Sequence, residues 1–299
     1  MKSGSNRNAY LFAILAVLFW STCPTAFKLG LQSIRTWQLL TGATLTSTLV
    51  LGILALVQGK LRIALPITKK DLAFSALMGL LNPVAYYLIL FKAYQILPAQ
   101  VAQPLNMIWP IVLVLLAVPI LRQRISWLSL GAMLISFSGV LLVSRMGGTV
   151  SEDPQNRLGI ILALSTSIVW AFYFLYNSRD RMDPVFRLFL NFAFASLYLL
   201  LAGILVENPF PDNPDGWIAA IYVGIFEMGV TFVLWVMALR LAPSSDRISN
   251  LVYVAPFLNL LFANRILGEK IYVTTVAGII LLVAGIVIQN TIGKDAKQI

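Results

Sequence analysis

The chain has 299 residues, of which 59% are hydrophobic and only 11% charged, and its mean hydropathy is +0.84. Soluble domains run near 45–50% apolar and about 25% charged, and so few charges cannot cover a water-facing surface around this much apolar area. A soluble enzyme is excluded, and a polytopic membrane protein is indicated. The sequence holds no His and a single Cys, Cys23, so histidine metal sites, cysteine clusters and intrachain disulfides are excluded as well. No Gly-rich phosphate loop occurs and the connections are too short for an ATPase domain, so no nucleotide or other cofactor is expected. The net charge of +10 comes from basic residues placed singly or in pairs at the ends of apolar runs. That pattern sets orientation in a bilayer and does not form the clustered basic face that nucleic acid requires.

Ten apolar stretches have the length needed to cross a hydrocarbon core of about 30 Å. They are read as helices, because lipid offers no partner to an unpaired peptide group. In chain order they run over 9–27, 36–58, 72–95, 100–119, 127–144, 158–176, 185–206, 217–239, 248–266 and 273–292. Turn chemistry separates them at Gly59-Lys60, Met146-Gly147-Gly148, Glu152-Asp153-Pro154 and from Asn208-Pro209 to Pro214. Asp183-Pro184 starts the seventh span well, with Asp as the cap and Pro in the first turn. A secretion signal is the competing reading of the first span. Its apolar part is too long for one, and no small-residue cleavage site follows.

With the N-terminus inside, Lys28, Arg35, Arg145, Arg157, Arg265 and Lys270 fall outside, Lys92 lies within a span, and the other fifteen basic residues face the cytoplasm. The excess places both termini in the cytoplasm, and the expected location is the inner membrane.

The two halves resemble each other. Leu18-Phe19-Trp20 answers Ile168-Val169-Trp170, Gly79 answers Gly224, and the run from Ala93 to Pro98 answers that from Ala238 to Pro243. Pro110 answers Pro256 and Gly139 answers Gly285. Each half holds five spans, an odd number, so the second must enter the membrane from the opposite side. Inverted repeats of this kind let many secondary transporters present one central site to each side in turn.

These residues also resemble those of the drug/metabolite transporter superfamily. The matching features are Phe19-Trp20-Ser21 followed by Lys28, Ala93-Tyr94 with Pro98-Ala99, and Pro110. In the second half they are Ala238-Leu239 with Ala242-Pro243, Pro256, and Leu267-Gly268-Glu269. The resemblance implies ten transmembrane helices as two EamA-type repeats, over 9–144 and 158–292, and covers nearly the whole chain. Leu121-Arg122-Gln123-Arg124 departs from the Gly-Glu pattern expected in the first half. Within the superfamily the sequence is most similar to bacterial aromatic amino-acid exporters.

An ionisable side chain inside a span costs at least about 2.5–3.5 kcal/mol to insert, which makes each one a functional candidate. Glu227, in the eighth span, is the one acid deep within any span. Two readings stay open: a coupling site or partner for a substrate amine, and a neutral acid joining two helices. Lys92 lies near the outer end of the third span and reads first as an interface anchor. Ser244, Ser245 or Asp246 would cap the ninth span.

In the fourth span Gln103, Asn106 and Pro110 recur at spacings of three and four and share one face. The ninth span carries Asn250, Tyr253 and Pro256 at three-residue steps. A proline-broken polar face in both repeats points to a central site, with interhelical polar contact as the alternative. Tyr86, Trp109, Trp170 and Tyr173 complete the expected lining, whereas Trp37, Trp127 and Trp217 sit at span ends as an interface belt. Aromatic faces can hold an ammonium, and side-chain amides can meet a carboxylate. The expectation is a secondary transporter that exports amino acids or similar small metabolites by alternating access. Nucleosides or drugs are the alternative cargo. A polytopic membrane enzyme is the alternative class, although the acids are dispersed and no two fall at metal-ligand spacing within a span.

Overall fold

A computed structural model describes residues 2–60, 67–109, 111–113, 115–116, 127–145, 153–177, 180–206, 208–241 and 250–295. Among these residues all regular structure is helical. Six helical stretches are long and apolar enough to cross a membrane: Arg7–Ser33, Thr36–Val57, Lys69–Ile96, Pro154–Asn177, Pro184–Leu205 and Pro214–Trp235. Shorter apolar helices lie at Leu130–Ser144, Leu251–Leu267 and Val273–Ile288. With the helix Ala99–Asn106, they fall at the ten expected positions. Pro110, the turn Met146-Gly147-Gly148, Glu152, the stretch Leu121-Arg122-Gln123-Arg124, the Ser244-Ser245-Asp246 cap and the Asn250 side chain lie outside the described residues.

We label the helices α1 (Lys2–Ser33), α2 (Thr36–Val57), α3 (Lys69–Gly79), α4 (Tyr86–Ile96), α5 (Ala99–Asn106), α6 (Trp127–Ser144) and α7 (Pro154–Asn177). The remainder are α8 (Pro184–Val206), α9 (Pro214–Phe226), α10 (Val230–Leu241), α11 (Ala255–Leu267) and α12 (Val273–Asp295). Several expected spans are interrupted among the described residues; the fourth turns at Met107-Ile108, and the ninth begins as the 3₁₀ segment Asn250–Val254. The third divides into α3 and α4 around a π-type segment, Leu80–Ala85, in which Asn82 is extended (φ −145°, ψ 118°) before the cis-linked Pro83. Proline lacks the N–H that a helix needs and disfavours helical backbone in the residue before it. The eighth span opens between α9 and α10 at Glu227-Met228-Gly229, where the Met228 N–H reaches back five residues to the Val223 carbonyl (3.1 Å). A Cβ at Gly229 would lie 2.8 Å from the Gly224 carbonyl oxygen, so only glycine fits at this widened turn.

The chain forms two compact units. The first comprises Met1–Phe91 and Arg179–Ala255, and the second Lys92–Ser178 and Pro256–Ile299. Each therefore draws helices from both halves of the sequence.

In the first unit α2 packs along α8, and the Thr48 and Ser196 hydroxyls are 2.9 Å apart. Placing Thr48 opposite Ser196 also places Ala43 opposite Asn191. The neighbouring glycines follow the same exchange: Gly79 lies against the Asn191 carbonyl, and Gly224 lies where a Cβ would be 2.5 Å from the Ala43 carbonyl. Lipid gives apolar helices no reason to associate, so close backbone approach at small residues supplies the attraction. At one end of this unit Arg187, 3% exposed, donates to Ser75 Oγ (2.7 Å), the Asp71 carbonyl (2.9 Å) and the Asp180 carboxylate. Its guanidinium also covers the Phe74 ring, 4.9 Å from the centroid. Nearby in sequence, Asp183 caps α8 as expected, accepting from the Val185 N–H (3.0 Å), and pairs with Lys60 Nζ (2.7 Å).

The second unit is organised on α6 and α12. A Cβ at Gly139 would fall 2.5 Å from both the Gly278 carbonyl and the Leu282 nitrogen, and one at Gly285 would fall 2.5 Å from the Ala132 carbonyl and against Ser136. The alignment that pairs Gly139 with Gly285 also pairs Ala132 with Gly278 and Ser136 with Leu282. Each contact thus recurs with its partners exchanged, which is the signature of a two-fold relation. Residue numbers rise along one helix as they fall along the other, so the pair is antiparallel. The axis lies across the helices, as an inverted repeat demands.

Candidate functional site

The expected site residues divide between the units. Gln103, Asn106, Trp109, Trp170 and Tyr173 belong to the second, while Tyr86, Asn250, Tyr253 and Glu227 belong to the first.

In the second unit α5 packs on α7, which brings three of the expected aromatics together. The Trp109 and Trp170 rings meet edge to face with centroids 6.5 Å apart, and Trp170 lies 5.7 Å from Tyr173. Phe174, absent from the sequence expectation, adds a ring 5.6 Å from Trp109. Asn106, at the end of α5, donates through Nδ2 to Thr166 Oγ1 (2.7 Å), so its amide ties two helices beside the rings. Gln103 is buried one turn earlier on α5. Indole and phenol faces bounded by amides can sandwich a flat apolar body while the amides meet its polar ends.

The start of α5 is held by a residue that only the family pattern had singled out. The Glu269 carboxylate accepts the Ala99 N–H (2.7 Å) and the Gln100 N–H (3.2 Å). These are orphan donors at a helix N-terminus, where the macrodipole also favours negative charge. Gly268 precedes it in left-handed backbone (φ +68°), ending α11 and turning Glu269 toward α5. The Gly-Glu pair is therefore a cap between two spans. Asn259 completes the joint by donating to the Ala99 carbonyl (3.2 Å).

In the first unit Glu227 sits at the opening of the eighth span, half-buried. Tyr87 donates its hydroxyl to Glu227 Oε1 (3.0 Å), and the Cys23 thiol is hydrogen-bonded to the same carboxylate. Tyr86 is buried and edges onto the Tyr87 ring (4.8 Å). Tyr253 is buried in a 3₁₀ segment, Asn250–Val254, that precedes α11. Three residues per turn suit the three-residue spacing of Asn250 and Tyr253 better than an α-helix would. Lys92 is exposed and donates to Gln95 (3.4 Å), in keeping with an anchor.

One polar position escaped sequence reasoning. The alignment that pairs Gly79 with Gly224 also pairs Asn82 with Glu227, so both spans open at the same place in the repeat around a polar residue. Asn82 is 1% exposed, and its Oδ1 has no hydrogen-bond partner among the described residues. The signal was present in Asn82-Pro83 within an apolar span.

The EamA-like transporter family model matches twice, over residues 7–145 and 157–291. An uncharacterized transporter of Clostridium kluyveri is 24% identical over 303 residues, covering 98% of this chain and 96% of its own length. A probable terminal-alkyne amino-acid exporter of Streptantibioticus cattleyicolor is 26% identical, with 94% and 93% covered. The aromatic amino acid exporter YddG of Ancylobacter novellus is also 26% identical, with 86% and 88% covered. A protein of known crystal structure shares the fold at 18% identity, with a TM-score of 0.68 over 98% of this chain and 99% of that one. The two family matches span nearly the whole chain, whose regular structure among the described residues is helical, and the chain belongs to the EamA-like transporter family, a group of membrane carriers built from two such repeats.

Proposed function

We propose that this transporter exports amino acids, aromatic or otherwise apolar ones, across the inner membrane by alternating access. The observation that carries the reading is the gathering of Trp109, Trp170 and Tyr173 beside the Asn106 amide. Two relatives named as amino-acid exporters agree with it. The substrate-binding set in this proposal is, in the second unit, Gln103, Asn106, Trp109, Trp170 and Tyr173, with the aromatic body of the solute on the rings and its carboxylate on the amides. Tyr86, Asn250 and Tyr253 are proposed separately, as substrate contacts of the first unit. Glu227 is the coupling acid.

Counterflow in proteoliposomes tests this reading. Vesicles loaded with unlabelled phenylalanine should accumulate labelled phenylalanine transiently, and Trp109→Ala or Trp170→Ala should weaken that exchange about tenfold or more, as loss of a stacked ring does. Accumulation driven only by nucleosides or by cationic drugs, in the same vesicles, would overturn the substrate assignment.

A further inference from the structure

Glu227 is a carboxylate inside a span, and among the described residues no Lys or Arg pairs with it. Its surroundings are aromatic. Phe226, next in sequence, packs on Phe19 (4.6 Å) and Tyr222 (4.8 Å). Tyr87, which donates to the carboxylate, is flanked by Tyr86 (4.8 Å), Phe91 (5.4 Å) and Phe27 (6.4 Å). These rings come from the first, third and eighth spans, and Tyr222 is fixed by the Thr22 hydroxyl at 2.6 Å. When ionised, a carboxylate in low dielectric attracts a cation, and this wall decides which kind. Hard metal ions need several oxygen ligands, whereas a hydroxyl, a thiol and ring faces leave most of such a shell unfilled. An organic ammonium needs one counter-charge for its N–H groups and π faces for its substituents. The matching position of the first repeat holds the neutral Asn82, so the pair of helix openings carries one counter-charge and takes one cation.

We propose that Glu227, with Tyr87 and the rings beside it, forms a subsite for the ammonium group of an organic amine or zwitterion. The proposal deepens the export reading by naming the charged end of the cargo, and it rests on that reading only for the physiological substrate. Purified full-length protein in detergent is heated with benzylammonium or with benzyl alcohol, a neutral compound of the same size. Benzylammonium should raise the unfolding midpoint saturably while the alcohol should not, and Glu227→Gln should weaken the ammonium effect about tenfold or more, the loss expected for a charge-assisted hydrogen bond. Equal stabilisation by both compounds, or an unchanged ammonium affinity in Glu227→Gln, overturns the subsite. If Glu227→Gln does not fold, modification of Glu227 by a membrane-permeant carbodiimide in the wild-type protein decides. Benzylammonium should slow that modification and benzyl alcohol should not, and equal rates with both overturn the proposal. Failure of the export reading shows separately, as absent phenylalanine counterflow with ammonium binding intact.

Discussion

Two carboxylates at span ends do different work, and substitution separates them. Glu269 accepts two backbone N–H groups at the start of α5, so Glu269→Ala leaves both orphaned beside an uncompensated helix dipole. A loss of about 1–2 kcal/mol follows, read as a lower unfolding midpoint, with Glu269→Gln recovering part of it. Asp183 is a case of opposed effects. Burial works to raise its pKa, but the hydrogen bond and charge of Lys60, with the Phe186 and Val185 N–H groups, outweigh it and hold the carboxyl below its usual 3.8. A depressed native pKa stabilises the fold at pH values above the unfolded one, and the gain disappears as pH falls through the native value. Asp183→Asn keeps the cap and removes the charge. The stability difference between wild type and this variant should be constant above about pH 5 and shrink below about pH 4. The pair is partly solvated, so the plateau should be about 1 kcal/mol or less, and denaturation followed across pH 3–7 measures it.

At the scale of helices, hydropathy located the spans but not their interruptions. Apolar periodicity reports which side chains avoid water and carries nothing about where a backbone hydrogen bond is skipped. Pro83 was a visible warning in the third span. In the eighth, the only cue was Gly229 two residues after Glu227, and glycine alone is too common in membrane helices to mark a break. Pairing was legible only after alignment of the halves, because the glycines that matter most are those whose contacts exchange under the repeat. The α6–α12 contact tests this reading. Gly139→Val places methyl groups against the Gly278 and Leu282 backbone, which cannot yield as a side chain can. Overpacking of this kind costs about 1–3 kcal/mol or more and should appear as a large fall in unfolding midpoint. Gly131 lies on the same helix with open space, out to 4 Å, around the place a methyl would take, so Gly131→Ala should be neutral or slightly stabilising.

For the whole molecule, sequence repetition and compaction divide the chain differently. The family pattern matches the two halves in series, whereas each compact unit takes spans from both. Contacts that exchange across the repeat, Gly139 with Leu282 in one unit and Thr48 with Ser196 in the other, explain why: each unit is closed by a span packing on its own repeat equivalent. The site was less legible than the fold for the same reason. Its expected residues come from both repeats, and composition does not tell which aromatic faces another aromatic. The orientation we propose rests on charge and not on packing. Five spans per repeat make ten in all, an even number, which puts both ends of the chain on one side. With the N-terminus inside, fifteen basic residues would fall at cytoplasmic ends against six at external ones, the balance the positive-inside rule favours. In a Cys23→Ser background, Ser5→Cys and Ala296→Cys should therefore both resist an impermeant thiol reagent in intact cells and both react once the membrane is opened. Labelling of one without the other would require an odd number of spans and would break the inverted repeat. Labelling of both in intact cells would keep the repeat and reverse the molecule in the membrane.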